Sequence, residues 1–410
     1  MTSLSGIKVL DFSHALAGPY CTLLLADHGA SVYKIESPDG GDIGRGWGPP
    51  FVGNQASYFI GLNRGKRSVS VNLKCAQGAE LCLRMMEKVD VVIENFRPGT
   101  MSRLGLGYER ARARNPRIVY CSISGYGQNG PLRDEPAMDL ILQASSGLMS
   151  VTGTADGKRV RCGYSVADVS TGMFALIGIL MALRSRDASG LGQFVDISML
   201  DSMISAMSSN FMIYLGSGSV PEPLGTSYSS IVPYRAFPTR DIDIAIAVGS
   251  EKLWRAFGPA IGHAELVDHP AYATNSMRVK NRVQLESFLA DVFCTDTMEN
   301  WRAKLRVAGV PASPVRRLDE VVNDPQCAVR EMFPYAADPG AGQVRVVGSP
   351  IKFPEEPAAV LSGAPELGQH TIETLSDWFG MDSTELSHLQ AAGVILQGSH
   401  VYPQPQQQVF

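Results

Sequence analysis

The feature that most constrains the fold is a regular alternation of short β-rich runs with helical runs over the first half of the chain. The β-rich runs lie at residues 7–12, 31–36, 68–73, 91–96, 118–125 and 192–200. Runs with helical spacing lie between or after them, at residues 20–29, 77–89 and 201–216. Strands that are joined through helices pair in parallel by right-handed crossovers. The sequence therefore predicts an α/β protein with a mainly parallel sheet.

A change of composition after this half predicts a division into domains. The stretch GSGSVPEPLGTS is rich in Gly, Pro and Ser, which is typical of a linker. Strand-like and helical runs follow it, then the stretch GVPASPV, and then helical periodicity again. The predicted parts are a large domain over 1–215, a linker over 216–227, a small α+β domain over 228–308, a second linker over 309–320 and a terminal part over 321–410. The last residues, 400–410, are expected to be a mobile end.

Charge and composition argue against several classes of partner. The chain has 410 residues, with 36 Lys and Arg against 40 Asp and Glu, so its formal net charge is −4. No block of like charge stands out, and we therefore expect neither a nucleic-acid partner nor an anionic membrane surface. The apolar run from Met173 to Leu183 is too short to span a bilayer alone, and it is predicted to be a buried helix.

Cysteine and histidine usage indicates the compartment and the absence of a metal framework. The seven cysteines are scattered, are odd in number and form no C-x-x-C pair. This pattern is typical of reduced thiols in a cytoplasmic protein. The seven histidines show no metal-binding spacing, so no metal site is expected. The amino-terminal residues have neither secretory nor transit-peptide character.

One motif points to a dinucleotide, but its context argues against that interpretation. Residues 125–130, GYGQNG, follow a predicted strand and match G-x-G-x-x-G. The fingerprint requires a helix that opens at the third glycine, in the first βα turn of the fold. Here Pro131 and a polar stretch follow, and the strand is about the fourth or fifth. A glycine-rich surface turn is the favoured interpretation.

A single carboxylate, Asp168, lies where a long apolar helix is predicted to begin, in the stretch GYSVADVSTGMFALIGILMAL. In the simpler interpretation, Asp168 is an N-cap or first-turn acid that satisfies free amides and suits the helix dipole. In the second, it is a nucleophile, because an ionised and poorly hydrated carboxylate suits covalent acyl transfer. Hydrogen bonds and the dipole are expected to keep Asp168 ionised despite its apolar surroundings. The two interpretations are compatible.

Several blocks, in a fixed order, resemble one known family. They lie at residues 9–36, 62–74, 94–109, 118–131, 139–153, 166–201 and 367–375, and include VLDFSHALAGPY, ENFRPGTMSRLGLGYE and VADVSTGMFALIGILMAL. Together they are similar to the class III CoA-transferases, a family that also contains α-methylacyl-CoA racemase. The stretches SSIVPYRAF and FVGNQASYFIGLN are most similar to the succinyl-CoA:glutarate type, which handles dicarboxylates.

This resemblance implies an architecture and a reaction. It implies a Rossmann-like large domain that is built from both chain ends, so that residues 321–410 return to it, and an interlocked homodimer. It implies that CoA moves from an acyl-CoA donor such as succinyl-CoA to a free carboxylic acid, through an aspartyl anhydride and an aspartyl-CoA thioester at Asp168. CoA is then a substrate, with no permanently bound cofactor and no metal.

The resemblance also implies which residues line the CoA groove. They lie at predicted strand ends and on the loops that follow: His14, Ala15, Leu16, Ala17, Val71, Asn72, Leu73, Lys74, Asn95, Phe96, Arg97, Arg103, Met138 and Asp139. In the predicted small domain, we expect a distal carboxylate of the acceptor near Tyr228, Ser229, Tyr234 and Arg235. Lys74, Arg97 and Arg103 are expected to bind the phosphates of CoA, because they lie at or after strand ends, where ligands of α/β sheets gather. Each of these cations could instead be an ordinary surface charge.

The alternative within the same family is a 2-methylacyl-CoA racemase or epimerase. That activity needs a second acid or base, which the racemase supplies as a histidine directly before an aspartate. The corresponding dipeptide here is Met138-Asp139, and a thioether cannot move a proton. The transferase is therefore favoured over the racemase.

Overall fold

In the computed structural model, residues 2–356 and 362–398 are described. Contacts between Cα atoms divide the chain into two compact units. The first takes in the described residues of 1–146, 163–208 and 326–410, and the second comprises residues 147–162 and 209–325.

Strands and helices alternate through most of the chain. The strands are β1 (Lys8–Asp11), β2 (Ser31–Glu36), β3 (Phe51–Val52), β4 (Gln55–Ala56), β5 (Arg67–Val71), β6 (Val91–Glu94), β7 (Val119–Ser124), β8 (Phe194–Ser198), β9 (Tyr234–Phe237), β10 (Ile244–Ala247), β11 (Ala312–Pro314), β12 (Tyr335–Asp338), β13 (Gly342–Arg345) and β14 (Ile395–Leu396). The α-helices are α1 (Ala17–Asp27), α2 (Ser57–Asn63), α3 (Ala76–Met86), α4 (Thr100–Arg103), α5 (Tyr108–Arg114), α6 (Asp139–Ser145), α7 (Leu148–Val151), α8 (Val166–Ser189), α9 (Met199–Ala206), α10 (Ser208–Ser217), α11 (Glu251–Ala260), α12 (Asn275–Lys280), α13 (Arg282–Phe293), α14 (Met298–Val307), α15 (Leu318–Val322), α16 (Pro325–Val329), α17 (Thr371–Phe379) and α18 (Ser383–Ala391). Two 3₁₀ turns lie at Ile43–Gly46 and Ala264–Leu266.

The first unit is built on a seven-stranded sheet in the order β14-β5-β2-β1-β6-β7-β8. Six strands are parallel, and only the edge strand β14 runs antiparallel, against β5. The chain fills one side of β1 first, with β2 and β5, and then the other side, with β6, β7 and β8. The predicted α/β class with a mainly parallel sheet is confirmed. In such sheets ligands bind where the strand order reverses, at the carboxyl ends of the strands, which here is the crevice between β1 and β6.

Helices pack against the central sheet, and its inner strands are almost entirely buried. On one face, a buried cluster joins sheet residues such as Ile35 and Val92 to α3 and to the late helices α17 and α18, through Leu375 and Leu386. Helix α1 contacts β1 and β2, and α8 contacts β7, β8, α1 and α9. The last helices therefore pack on the sheet that the first strands form.

The second unit contains the antiparallel sheet β11-β10-β9. Its core is formed by buried aromatic and aliphatic side chains, among them Trp254, Phe257, Phe293 and Trp301, which come from helices α11, α13 and α14. Residues 147–162, which contain α7, also belong to this unit. The assignment of a linker, a small domain and a second linker in the sequence stays a prediction.

Helix α8 is longer than its uncharged run indicated. It has 24 residues and ends at Gly190 in a left-handed C-cap, so the expectation that it is too short to span a bilayer is wrong. By length and composition it is the one helix among the described residues that could cross a membrane. Its contacts with β7, β8, α1 and α9 are those of a core helix that has one covered face.

Three further details differ from the sequence pattern or extend it. The predicted helix over 201–216 is two helices, α9 and α10, and the short strands β12, β13 and β14 were not predicted. No helix opens after the GYGQNG turn, and the next helix begins only at Asp139, so the motif is not a dinucleotide fingerprint. The predicted mobile end, 400–410, lies outside the described residues.

Candidate active site

The predicted nucleophile, Asp168, lies in the first turn of α8. This end of α8 packs closely against the start of α1, because Gly172 has no side chain. A Cβ atom at Gly172 would lie 2.6 Å from the backbone oxygen of Ala17 and 3.1 Å from the ring of Tyr20. The close approach places Asp168 near the loop between β1 and α1, which carries three of the predicted CoA-groove residues, His14, Ala15 and Leu16.

Asp139, and not Asp168, caps helix α8. The Oδ1 atom of Asp139 accepts a hydrogen bond from the backbone amide of Ala167, at 3.0 Å. Its Oδ2 atom accepts one from the side-chain amide of Gln143, at 2.7 Å. The N-cap residue Ser165 makes no side-chain capping bond. Within the described residues the Asp168 carboxylate accepts no hydrogen bond, so the capping interpretation of Asp168 finds no support in its contacts.

The electrostatics of Asp168 correct the expectation that it is held ionised. Burial, together with the negative charge of Asp139, raises the pKa of Asp168 to about 7. No hydrogen bond from the described residues offsets these two effects, since the Ala167 amide in the same turn donates to Asp139. Near neutral pH the Asp168 carboxylate is therefore divided between its protonated and its ionised, poorly solvated forms.

Tyr58 on α2 belongs to the same acidic neighbourhood, and the sequence pattern did not reveal it. Burial raises the pKa of the Tyr58 hydroxyl, and the negative charge of Asp168 raises it further. Asp42 and Asp139 add smaller effects of the same sign. The Tyr58 ring packs edge-on against Trp47, with 4.9 Å between the ring centroids. Tyr58 therefore stays protonated and presents a hydroxyl donor near the carboxylates.

The predicted groove residues of β1 and β6 meet at the crevice where the strand order reverses. The Asn95 side chain binds the backbone of His14 twice. Its Oδ1 accepts from the His14 amide at 2.8 Å, and its Nδ2 donates to the His14 carbonyl oxygen at 2.8 Å. The rings of His14 and Phe96 lie 5.4 Å apart. Burial lowers the pKa of His14, and the charge of Lys34 lowers it further, so the imidazole is neutral at pH 7.

Ala15 in this loop has an unusual backbone conformation. Its φ angle is +63°, a left-handed value that is strained for a residue with a Cβ atom. Asp42 holds the conformation, because its Oδ1 accepts from the Ala15 amide at 3.0 Å and from the Gly44 amide at 2.8 Å. Sequence reasoning missed Asp42, since it lies 27 positions away along the chain.

A buried ion pair fixes Asp42 in turn. Lys34 lies 2.8 Å from Asp42, and both side chains are fully buried. The Lys34 ammonium also donates to the Ser13 carbonyl oxygen at 2.7 Å. Burial opposes the Asp42 charge, but Lys34, His14 and the hydrogen bonds from Lys34 and the Gly44 amide together outweigh it and lower the pKa of Asp42 to about 2. The loop that carries His14 and Ala15 is therefore preorganised by charges beneath it.

The groove residues that follow β5 are held differently. Val71 is the last residue of β5 and pairs with Ile395 of β14. The Asn72 side chain accepts from the Lys74 amide at 3.0 Å, and Leu73 packs against the core. Lys74 itself is exposed.

The three predicted phosphate-binding cations share one property. Lys74, Arg97 and Arg103 are exposed, and among the described residues none of them forms an ion pair. Arg103 makes only a hydrogen bond to Thr100, at 2.9 Å. Positive charges without partners at the carboxyl edge of the sheet are suited to the phosphates of CoA.

The remaining predicted residues divide into two sets. Leu16 and Ala17 are buried at the start of α1, and Asp139 lies next to Ala167 of α8. Met138 is the N-cap residue of α6, and it is 60% exposed and makes no side-chain capping bond. The structure thus brings Asp139 and Asp168 together, and separately brings His14 to Asn95 and Phe96.

In the second unit, the expected acceptor residues surround a salt-bridge cluster. Arg235 pairs with the buried Glu286 at 2.7 Å, and Arg282 pairs with the same carboxylate at 3.1 Å. Arg282 also donates to the carbonyl oxygens of Tyr228 and Ser229, at 2.8 and 2.7 Å. One acidic and two basic side chains leave this cluster with one net positive charge.

Comparison with known proteins agrees with this geometry. The sequence profile of CoA-transferase family III matches residues 4–371. An acyl-CoA transferase from Fusarium pseudograminearum is 39% identical, covering 96% of this chain and 88% of the relative. The succinyl-CoA:glutarate CoA-transferase of Mus musculus is 36% identical, covering 97% and 91%. The structure is similar to that of a CAIB/BAIF family protein from Brucella suis, with a TM-score of 0.81 and 35% identity over 92% of this chain and 99% of that one. The chain therefore belongs to CoA-transferase family III, and it is a CoA-transferase.

Proposed function

We propose that this CoA-transferase moves CoA from succinyl-CoA to a free dicarboxylic acid, with Asp168 as the covalent carrier. The observation that carries the proposal is the state of the Asp168 carboxylate. It is largely buried and accepts no hydrogen bond from the described residues, while Asp139 performs the capping at the same helix end. A poorly solvated carboxylate is a strong nucleophile once it is ionised.

The reaction proceeds through two exchanges at one carboxylate. Ionised Asp168 attacks the thioester carbonyl of the donor. The CoA thiolate is expelled, and a mixed anhydride between Asp168 and the donor acid forms. The thiolate then attacks the aspartyl carbonyl, which releases the donor acid and forms an aspartyl-CoA thioester. The acceptor carboxylate attacks that thioester to give a second anhydride and free thiolate. Attack of the thiolate on the acceptor carbonyl yields the new acyl-CoA and regenerates Asp168.

The side chains and backbone around Asp168 supply binding and electrostatic support. The positive end of the α8 dipole lies at Asp168 and favours negative charge there. The fixed loop at His14 and Ala15 and the loop at Asn95 form the wall of the acyl-CoA groove. The exposed cations at strand ends bind its phosphates. Tyr58 donates a hydrogen bond to the reacting carboxyl groups.

The acceptor is a dicarboxylate such as glutarate. The mouse relative is named for succinyl-CoA and glutarate, which supports a dicarboxylate as the acceptor. A screen of free acids with succinyl-CoA as the donor should show the fastest transfer to glutarate or to another dicarboxylate. A preference for monocarboxylic acids would contradict this choice of acceptor.

We also propose the interlocked homodimer and the Rossmann-like large domain. The outer face of α8 presents Met173, Ile177, Leu180 and Met181, which are 39–67% exposed in the single chain. An apolar stripe of this kind on a central helix favours burial against a second copy. Sedimentation over a dilution series should show a dimer at every concentration, and folded monomer would contradict the interlocked arrangement.

The activity test uses Asp168→Ala and Asp168→Asn with succinyl-CoA and glutarate. Both variants should lose transfer, whereas Asp187→Asn, at the exposed far end of the same helix, should retain it. Activity above a few per cent in the alanine variant would exclude a covalent role for Asp168. Incubation of the native protein with a 2-methylacyl-CoA in deuterated water distinguishes the transferase from the alternative racemase. Deuterium at the α-carbon in the absence of any acceptor acid would indicate a racemase.

A further inference from the structure

Another buried carboxylate, Glu94, lies at the carboxyl end of β6 and takes no part in the proposed reaction. It is 6% exposed and carries no ion pair among the described residues. One of its oxygens, Oε2, accepts from the backbone amide of Phe96 at 2.8 Å. The other, Oε1, accepts from the hydroxyl of Ser122 on β7. Glu94 therefore joins the loop after β6 to the neighbouring strand.

The hydrogen bonds continue from Glu94 into the glycine-rich turn at residues 125–130, which has no part in the proposed reaction. The Gln128 side chain donates to the Ser122 oxygen at 2.9 Å. The Gln128 backbone amide donates to Asp196 of β8 at 3.2 Å, and the Gly127 amide donates to Ser124 at 3.0 Å. The left-handed φ of +88° at Gly127 allows the tight turn. The 125–130 turn is thus fastened to the end of β7 at Ser124 and to the middle of β8 at Asp196, and through Ser122 to Glu94.

We propose that Glu94 is a positioning residue for acyl-CoA, which couples the GYGQNG turn to the groove loop at Asn95 and Phe96. The Phe96 amide that it holds directly follows Asn95, whose side chain clamps His14 across the crevice. Loss of the Glu94 contacts therefore loosens both walls of the groove. The inference rests on the proposed function, since it assumes that acyl-CoA lies against these loops.

The direction of the hydrogen bonds makes the coupling depend on the charge of Glu94. When Glu94 is ionised, it accepts from Ser122 and from the Phe96 amide, and the Ser122 oxygen is free to accept from Gln128. When Glu94 is protonated, the hydrogen bonds from Ser122 and from the Phe96 amide lose their charge assistance. If the new proton on Oε1 is donated to Ser122, the hydroxyl hydrogen of Ser122 also loses its acceptor. Protonation therefore weakens the connection between Glu94 and the turn.

The surroundings place this change near neutral pH. Burial raises the pKa of Glu94 to about 7, against the lowering effect of the bonds from Ser122 and Phe96, and the charge of Asp196 raises it slightly. The other titratable groups that sense Glu94 are Tyr120 and Cys121 of β7, and both are neutral because burial raises their pKa values.

The experiment measures the Kd of succinyl-CoA in an Asp168→Asn background, in which the ligand is not consumed and Asp168 cannot titrate. Glu94→Gln is added to that background, because the amide donates to Ser122 permanently, as protonated Glu94 does. At pH 8.5 the Glu94→Gln protein should bind about five- to tenfold more weakly. At pH 5.5 the two proteins should bind equally, since Glu94 is then protonated. Any titration of CoA itself affects the Kd of both proteins equally, so it does not contribute to the difference between them.

Two controls separate positioning from general damage. The first control is Asp90→Asn. Asp90 directly precedes β6, at the end opposite to Glu94, and it accepts a hydrogen bond from the Lys8 amide at 2.8 Å. This substitution should leave the Kd of succinyl-CoA unchanged at both pH values. Gln128→Ala removes the donor to Ser122, so it should weaken binding at pH 8.5 and have little effect at pH 5.5. If the Glu94→Gln protein fails to fold, Ser122→Ala tests the same link.

The outcomes distinguish this inference from the proposed function. Equal Kd values for the background and its Glu94→Gln form at pH 8.5 would overturn the positioning role, and so would a difference that does not change with pH. An effect of Glu94→Gln without any effect of Gln128→Ala would exclude the turn from the coupling. Failure of the Asp168→Asn protein to bind succinyl-CoA at any pH would instead count against the proposed acyl-CoA groove.

Discussion

Replacement of Asp168 by asparagine should stabilise the protein while it abolishes transfer. Asparagine is nearly isosteric and cannot ionise, whereas Asp168 must be desolvated and placed near Asp139 without a compensating hydrogen bond. A carboxylate in such a site lowers stability whenever it is ionised in the unfolded chain. Sites of this kind are where a gain of stability and a loss of function go together.

The magnitude follows from the pKa of Asp168. Its ordinary value is 3.8 and the folded value is about 7, a rise of roughly three pK units. At about 1.4 kcal/mol per unit this is an upper limit of about 4 kcal/mol. Asp168 is partly exposed, so screening by solvent reduces the expected gain to about 1–3 kcal/mol.

Because folding raises the pKa of Asp168, the stability that Asp168→Asn gains depends on pH. A carboxyl group with a raised pKa contributes its full stability below the unfolded value and loses it as the pH rises through the folded value. The advantage of Asp168→Asn should therefore be small near pH 4, grow between pH 4 and 7, and stay constant above pH 7. Thermal unfolding of both proteins at pH 5, 6, 7 and 8.5 measures this directly.

The matched control is Asp187→Asn, an exposed acid near the other end of α8. Its difference in Tm from the native protein should be the same at every pH from 5 to 8.5. If Asp168→Asn were no more stable than the native protein at pH 8.5, Asp168 would not be an uncompensated buried carboxylate. A gain without pH dependence would refute the electrostatic cause.

Three further predictions concern catalysis and the groove. The kcat for transfer should rise with pH and reach half its maximum near pH 7, because only ionised Asp168 attacks; a flat profile from pH 5.5 to 8.5 would contradict this assignment. Asn95→Leu removes both hydrogen bonds to His14, so KM for succinyl-CoA should rise about tenfold while KM for the acceptor acid changes little in steady-state assays. Lys34→Met leaves Asp42 buried without its ion-pair partner, so urea denaturation should show a loss of about 3–5 kcal/mol in the free energy of unfolding. Adding Asp42→Asn should restore part of this loss. A loss below about 1 kcal/mol would mean that the ion pair is not needed for stability.

Local pattern was sufficient to predict most of the central sheet. The strand β2 was predicted over its observed bounds, because Val32, Tyr33 and Ile35 favour strands and the run is followed by a stretch rich in Ser, Pro, Asp and Gly. The strand β14 was not predicted, because two residues carry too little pattern to distinguish a strand from the end of a helix. Its place beside β5 depends on pairing with residues more than 300 positions away.

The candidate site was predictable in its residues but not in its electrostatics. Asp168 and Asn95 could be singled out from sequence and resemblance. That Asp139 takes the capping bond of α8 depends on a contact 28 positions away, and no local pattern reports it. For the same reason the role of Asp42 beneath Ala15, and the raised pKa of Asp168, could not be inferred before the fold was known.

The most direct measurement of the central claim is covalent trapping of the intermediate. The native protein is loaded with succinyl-CoA in the absence of acceptor and treated with hydroxylamine or with borohydride. An activated aspartyl group gives a hydroxamate or an alcohol, whereas ordinary carboxylates react with neither reagent, so Glu94, Asp139 and Asp201 serve as internal controls. Peptide mapping by mass spectrometry should place the modification on Asp168 alone, within residues 162–184. Absence of any modification under conditions where transfer is fast would contradict the covalent mechanism, and modification of one of the control residues would assign the nucleophile elsewhere.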